Sequence, residues 1–283
     1  MTFETLIYET PEPGVARIWL NRPETRNAQD TTLLRELDAA YERAMRDDAV
    51  KVVILAAKGP HFSSGHDLRE EGMETAMAVG ETHTGWASGD WEGVEAFYCR
   101  EKEIYEGYCR RWRDLAKPTI ASVQGKAISG ALMLIWPCDF VIASEDATFQ
   151  DNTMFLGIPG VEWFAHAWEL GIRKAKEFLL TGQPISAAEA KEAGMVNKIA
   201  PRERLEEETL AFARLLTDKR SLALRLGKQA INAAFAAQGF EAVQQAALNA
   251  HHLAHTHYRL TQNGAYLDRE SLEKSGARAA PRK

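Results

Sequence analysis

Three cysteines in 283 residues, none in a CxxC pair, leave neither a disulfide framework nor a zinc knuckle to build on. Cys99, Cys109 and Cys138 are read as reduced, packed thiols, and a cytoplasmic location is expected. No apolar run approaches the roughly 20 residues that cross a bilayer, so no membrane partner is expected. The opening MTFETLIYET has no positive stretch leading into an apolar one, and no secretory signal is expected. Basic residues are scattered, and 34 Lys and Arg against 40 Asp and Glu give a net charge of −6. That balance argues against a nucleic-acid surface, which needs massed positive potential. Internal repeats and low-complexity stretches are also missing. At 26% charged and 45% hydrophobic, the chain is long enough for one large domain or a main domain with a helical appendage.

Phe3–Tyr8 and Val15–Leu20 are strand-like and flank Pro11, Pro13 and Gly14, which predicts a hairpin. Leu33, Leu34, Leu37, Ala40, Tyr41, Ala44 and Met45 recur at helical spacing behind Asp30, Thr31 and Thr32, which can cap. The run from Lys51 to Ala56 predicts a strand covered on both faces, followed by a loop over Lys58–Gly65. Glu70–Asp90 lacks clean periodicity and carries Gly72, Gly80, Gly85 and Gly89 with His83 and Trp86; it reads as a binding-site lid or wall, or as a surface insertion. Glu92–Leu115 is helical and ends before Lys117-Pro118, and Thr119–Val123 is a short buried strand.

Gln124–Trp163 is the organising stretch. A glycine-bearing turn leads into a short apolar helix, then a strand, a polar loop and Ile158-Pro159-Gly160, an order that can aim backbone N–H groups into one cavity. Beyond it, Arg173–Leu180 reads as a helix stopped by Gly182, and Ser186 to Glu189 has capping-box spacing with Gly194 closing the helix. Met195–Ile199 is strand-like. Everything past Arg202 is helical, with breaks near Asp218 and Gly239 and a polar tail after Asn263. The fold class expected is α/β, with residues 1–200 as the core and 201–283 as a helical C-terminal region.

Several short motifs stand in one order: Asn21-Arg-Pro-Glu-Thr-Arg-Asn-Ala28, Phe62-Ser-Ser-Gly-His-Asp-Leu68, Gln124-Gly-Lys-Ala-Ile-Ser-Gly130, Cys138-Asp139, Ile158-Pro-Gly160, Leu180-Thr-Gly182 and Ala190 to Val196. In that combination the chain resembles the crotonase superfamily, the enoyl-CoA hydratase/isomerase group, nearly to its last helices. The resemblance implies a spiral of ββα units with C-terminal helices that form a homo-trimer, often paired into a hexamer. It implies an acyl-CoA thioester substrate, with coenzyme A entering as part of that substrate and no separate cofactor. It also implies that the backbone N–H groups of His66 and Gly130 receive the thioester oxygen, commonly worth about 3 kcal/mol per donor as the enolate forms. Arg26, Ser64 and Asp67 fall where the family holds the nucleotide; a solvated Arg26 and a locally bonded Asp67 are the plainer alternatives.

The pattern also breaks. The two glutamates of a hydratase of this family would fall at Met133 and Thr153, and neither side chain is a general base near neutral pH. Glu162, just past Ile158-Pro159-Gly160, is the best replacement; read as opening a helix, it would gain from the dipole, with His166 one turn on as a partner. A first-turn acid and a packed core histidine are the bland readings of the two. Asp151 is the next catalytic candidate, or a turn-stabilising aspartate. Met133, Thr153 and Trp163, with Met154 and Phe155, suggest a largely apolar acyl pocket. His251, His252, His255 and His257 read as a polar face of the last helix, and no metal is expected. The function expected is acyl-CoA chemistry of hydratase/isomerase type through a thioester enolate. The alternatives are a thioester or carbon–carbon bond hydrolase using Glu162, and a catalytically silent acyl-CoA-binding protein.

Overall fold

The computed structural model describes residues 2–70, 82–87, 89 and 92–262. β1 (Leu6–Glu12) and β2 (Val15–Leu20) pair antiparallel, as the hairpin pattern predicts. The first strand is longer than expected and runs through Pro11. It is the edge of its sheet and shifts register between Glu9 and Glu12, which are the conditions under which a strand tolerates a missing N–H. α1 (Thr31–Arg46) follows, its Asp30 cap accepting the Leu33 N–H at 2.8 Å. β3 (Val52–Ala57) is buried at every position and pairs parallel to β2, which explains its unbroken apolar run.

α2 (Gly93–Glu101) continues through a π turn over Lys102–Glu106 into α3 (Gly107–Arg113). Gly107 permits that turn, because a Cβ there would stand 2.9 Å from the carbonyl oxygen of Lys102. A π turn rotates the faces of the helix on either side of it, and here it carries Glu101 and Tyr105 inward together.

β4 (Thr119–Val123), β5 (Lys126–Ile128), α4 (Gly130–Ile135), β6 (Phe140–Ser144) and β7 (Thr148–Gln150) alternate as the α/β pattern requires. α5 spans His166–Thr181, about two turns earlier than its apolar pattern begins, and Gly171 (φ 70°) interrupts helical geometry between the early part and that pattern. β8 (Ile185–Ser186) leads into α6 (Ala187–Ala193), whose capping box forms in full, and β9 (Lys198–Ala200) closes the main sheet. That sheet has the order β1-β2-β3-β4-β6-β9, parallel beyond the first hairpin; β5, β7 and β8 form a second, small sheet. This is the α/β class expected from the alternating pattern.

α7 (Leu205–Thr217), α8 (Ser221–Ala237) and α9 (Phe240–Thr261) break close to Asp218 and Gly239, as expected. α7 packs Leu205 and Ala213 on Val52, Ile54, Ile120 and Ile142, covering the sheet face opposite α1. Each of the Leu, Val and Ile side chains here fully removed from water contributes about 1.5–3 kcal/mol. Among the described residues, no helix is long and apolar enough to cross a membrane. The tail after Asn263 and most of the Glu70–Asp90 loop lie outside the described residues. Of the latter, His83, Thr84 and Trp86 are tied down: their backbone N–H groups and the Thr84 hydroxyl all donate to the Glu103 carboxylate.

Candidate active site

Two tight turns meet at the head of α4. Gly65 has φ +88°, and a Cβ on it would lie 2.7 Å from Ile128 O and 3.2 Å from Gly130 N. Gly130 is equally constrained: a Cβ there would press on the His66 imidazole at 2.9–3.0 Å. Gly65 is therefore demanded by the approach of another backbone and Gly130 by the His66 ring, which explains the motifs around them. Ser129, between β5 and α4, adopts φ 46° and ψ −109°, a conformation a non-glycine residue rarely takes. Its hydroxyl donates to Asn152 Oδ1 at 2.6 Å and its N–H to Gln150 O at 2.7 Å, and these bonds hold the strained turn. Among the described residues, the N–H groups of His66 and Gly130 have no protein acceptor.

The His66 side chain lies flat on Tyr105, ring centroids 4.2 Å apart and planes within 12°. Tyr105 in turn accepts a bond from Arg100 Nη1 at 3.1 Å. The His66 Nε2 is 3.3 Å from Glu162 Oε2. Glu162 is 5% exposed and sits in the loop ahead of α5, not in its first turn. The expectation that it opens a helix, and that His166 pairs with it one turn on, is therefore corrected. The chain does not become helical until His166, and the His166 Nε2 bonds Asp151 Oδ2 at 2.8 Å instead.

Asp151, His166 and Thr153 form a buried bracket under that loop. Asp151 accepts the Thr153 N–H and hydroxyl at 3.0 and 2.6 Å and the Val161 N–H at 3.2 Å. The Thr153 hydroxyl accepts the Gly160 N–H at 3.1 Å. Burial by itself would raise the Asp151 carboxyl, but the hydrogen bond and charge of His166 and the Thr153 donors outweigh it, and its pKa is lowered.

From above, α9 clamps the same loop. Gln244 exchanges two bonds with the backbone of Phe164, His251 Nδ1 bonds Gly160 O at 2.9 Å, and Tyr258 packs where a Gly157 side chain would stand. His251, His252 and His255 are buried, which corrects the expectation of a polar outer face for this helix; His257 alone of the four is exposed. Glu101, from the end of α2, completes the group. The His251 Nε2 is 3.6 Å from Glu162 Oε1 and 3.6 Å from Glu101 Oε2, and His252 Nε2 is 3.0 Å from the same Glu101 oxygen.

The two carboxyls are pushed in opposite directions. Glu162 is held well below the usual carboxylate range: burial opposes this, but the charges of His66 and His251 and the His66 hydrogen bond prevail. Glu101 is raised, first by burial and then by the neighbouring charge of Glu162, against the pull of His251, His66 and Arg100. Burial pushes His252 down to about 4 and lowers His255 as well, so both imidazoles are neutral at physiological pH.

Glu101, His251 and His255 bring ligand atoms within 4.8 Å of one another, a spacing from which a cation could be held. The His251 and His255 Nε2 atoms, however, are 2.9 Å apart. That is a hydrogen-bond distance, shorter than the roughly 3.4 Å that two nitrogens on a tetrahedral zinc ion keep. The geometry favours a proton between these rings.

The remaining candidates are scattered around this centre. Met133 is a core residue of α4, its carbonyl accepting the Cys109 thiol, and Trp163 packs edge-on against Phe240. The centre is thus lined by Glu101, Glu162, His66 and His251, more polar than the apolar pocket expected. Asp67 is engaged by Arg22 and Arg69. Ser64 donates its N–H to Arg26 O at 3.0 Å, and Arg26 is exposed, in a left-handed turn. Glu101 and the three buried histidines were not singled out as site residues from the sequence. The signal available was weak: an acid at the end of a helix, and an i, i+4 histidine pair.

Comparisons with known proteins agree with this architecture. The profile of the enoyl-CoA hydratase/isomerase family matches residues 10–273. The protein is 43% identical over 261 residues to EchA13 of Mycobacterium tuberculosis, which carries an enoyl-CoA hydratase name, covering 90% of this chain and 82% of the relative. It is 32% identical over 222 residues to the hydroxycinnamoyl-CoA hydratase-lyase of Pseudomonas fluorescens, covering 77% and 74%. A crystal structure of a probable enoyl-CoA hydratase from Mycobacterium thermoresistibile superposes with a TM-score of 0.81 at 42% identity, covering 91% of this chain and 99% of that one.

Proposed function

The chain belongs to the enoyl-CoA hydratase/isomerase family, and on that premise we propose that it moves a proton at the α-carbon of an acyl-CoA thioester. The thioester oxygen would lie between the N–H groups of His66 and Gly130, which stabilise the enolate as charge develops. Glu162 takes the α-proton. One observation carries this reading: a buried carboxyl, 3.3 Å from His66 and 3.6 Å from His251, stands beside two facing turns whose N–H groups have no protein acceptor among the described residues. Met133 and Thr153 exclude the usual pair of glutamates, so the base has moved from the central helix and loop to the segment before α5.

The Asp151–His166–Thr153 bracket fixes that segment from below and α9 fixes it from above. Substrate positioning of this kind is worth more than any single contact, since a small misplacement of the base costs orders of magnitude. For the nucleotide, Arg26 stands with Lys126 and Arg202 around His61, whose pKa is lowered by burial and by these three charges. Such a basic mouth suits phosphate groups.

A trimer, single or paired, is proposed for the assembly. α8 buries none of its side chains fully and leaves Leu222, Leu226 and Ile231 exposed by more than half, as is Leu215 of α7. Exposed aliphatic side chains gathered on these helices suit contact with a partner, and a second copy of the chain is the partner the family architecture implies.

The test is isotope exchange. Saturated acyl-CoA thioesters of graded length, incubated with the protein in deuterium oxide, should gain deuterium at the α-carbon, and Glu162→Gln should abolish the gain without loss of fold. Failure to exchange any of them, with CoA thioesters failing to bind in calorimetry, would contradict the proposal.

A further inference from the structure

We propose that Glu101 is a second catalytic carboxyl, which delivers a proton to the group leaving the β-carbon while Glu162 removes the proton from the α-carbon. The assignment rests on the enolate reading above and adds the other half of an elimination. Glu101 is 2% and Glu162 5% exposed, and both approach the same atom, His251 Nε2, at 3.6 Å. Glu162 is the one bonded to His66, which belongs to the turn that would receive the thioester oxygen, so Glu162 stands at the α-carbon end. Glu101 then falls toward the β-carbon. Among the described residues its Oε2 accepts no hydrogen bond, although the His252 and His251 Nε2 atoms stand 3.0 and 3.6 Å from it. A buried carboxyl oxygen left without a bond is costly unless a ligand uses it.

The opposed environments of the two acids fit the same division of labour, a neutral acid beside an ionised base. The groups facing Glu101 are Arg100 on its own helix, Glu162 on the loop before α5, His66 on the oxyanion turn, and His251 and His252 on α9.

The chemistry balances as follows. With a 3-hydroxyacyl-CoA bound, Glu162 takes the α-proton, and the electron pair of the C–H bond moves onto the thioester oxygen as an enolate. The enolate collapses to the carbon–carbon double bond. The β C–O bond breaks, its pair leaving with the oxygen, which accepts the Glu101 proton and departs as water. Glu162 is then protonated and Glu101 ionised. Exchange with solvent restores the starting protonation of both carboxyls once the products leave. Hydration is the same path reversed.

The two halves can be measured apart. α-Deuterium exchange into a saturated acyl-CoA needs only Glu162 and the enolate; dehydration of the matching 3-hydroxyacyl-CoA needs Glu101 as well. In Glu101→Gln, dehydration should fall by roughly 10²–10⁴, the usual contribution of a general acid, and by at least about ten-fold more than exchange does. Glu101→Asp, which keeps a shortened acid, should recover part of the loss and retain the alkaline fall of the dehydration rate that Glu101→Gln lacks. Dehydration unchanged in Glu101→Gln would overturn the assignment. So would loss of exchange and dehydration together in a folded Glu101→Gln protein, which would mark Glu101 as structural. A wild type that neither exchanges nor dehydrates would overturn the parent reading instead, and is recognised because Glu162→Gln then changes nothing.

Discussion

Glu101 and Glu162 share one neighbour, the Nε2 atom of His251, each with a carboxylate oxygen 3.6 Å from it. Three distant parts of the chain supply these residues: the end of α2, the loop before α5, and the middle of α9. The site is therefore sensitive to whatever aligns those elements.

Gly107→Ala should cost activity out of proportion to stability. Its Cβ would meet the Lys102 carbonyl at 2.9 Å and oppose the π turn that swings Glu101 and Tyr105 inward. Dehydration should fall at least ten-fold, because the change displaces both Glu101 and the Tyr105 ring stacked on His66. Steady-state kinetics with a thermal melt checks this.

Gly65→Ala should be destabilising and inactive. Alanine would have to hold φ +88° with its Cβ 2.7 Å from Ile128 O. Strain of this kind costs about 1–3 kcal/mol, measurable as a lower urea midpoint. The distortion opens the gap between His66 and Gly130, so kcat should fall with it.

Asp151→Asn should lower stability by about 3–5 kcal/mol, the range for breaking a buried pair by removing one partner. The same residue gives a pH dependence with a definite sign. Its folded pKa lies below the unfolded value of about 3.9, so its contribution is present above that value and is lost as pH falls through the folded pKa. Urea midpoints measured down through pH 4 and below should show an acid-side loss that is absent in Asp151→Asn.

Ile231→Asp combined with Leu222→Asp should convert the assembly to monomers. Both side chains are about 70% exposed on α8 and make no core contact to lose. Light scattering after size exclusion reads the outcome; an unchanged mass would move the interface elsewhere.

Much of this was legible in the sequence because backbone geometry leaves a mark there. Gly65 and Gly130 stand where no side chain fits, and the Ser186 and Glu189 capping box formed as its spacing predicts. Glu162 was legible by position, since it follows a turn motif. Glu101 and the α9 histidines were not. Helical patterns are read on the assumption that charged positions face water, whereas Arg100, Glu101, Glu103 and Glu106 all turn inward, and Arg100, Glu103 and Glu106 bond partners there. Nor does spacing link residue 101 to residue 251; only packing does. The Glu162–His166 pairing failed for a related reason. An i, i+4 relation requires both residues to be helical, and the Asp151 bracket holds the first of them in a loop.

A crystal structure with a non-reactive 3-hydroxyacyl-CoA analogue bound tests the central claim most directly. The account places the thioester oxygen at hydrogen-bond distance, about 2.7–3.2 Å, from the N–H groups of His66 and Gly130, with Glu162 nearest the α-carbon and Glu101 nearest the β-oxygen. A thioester oxygen bound away from those two N–H groups, or an acyl chain that leaves both carboxyls out of reach, would contradict it.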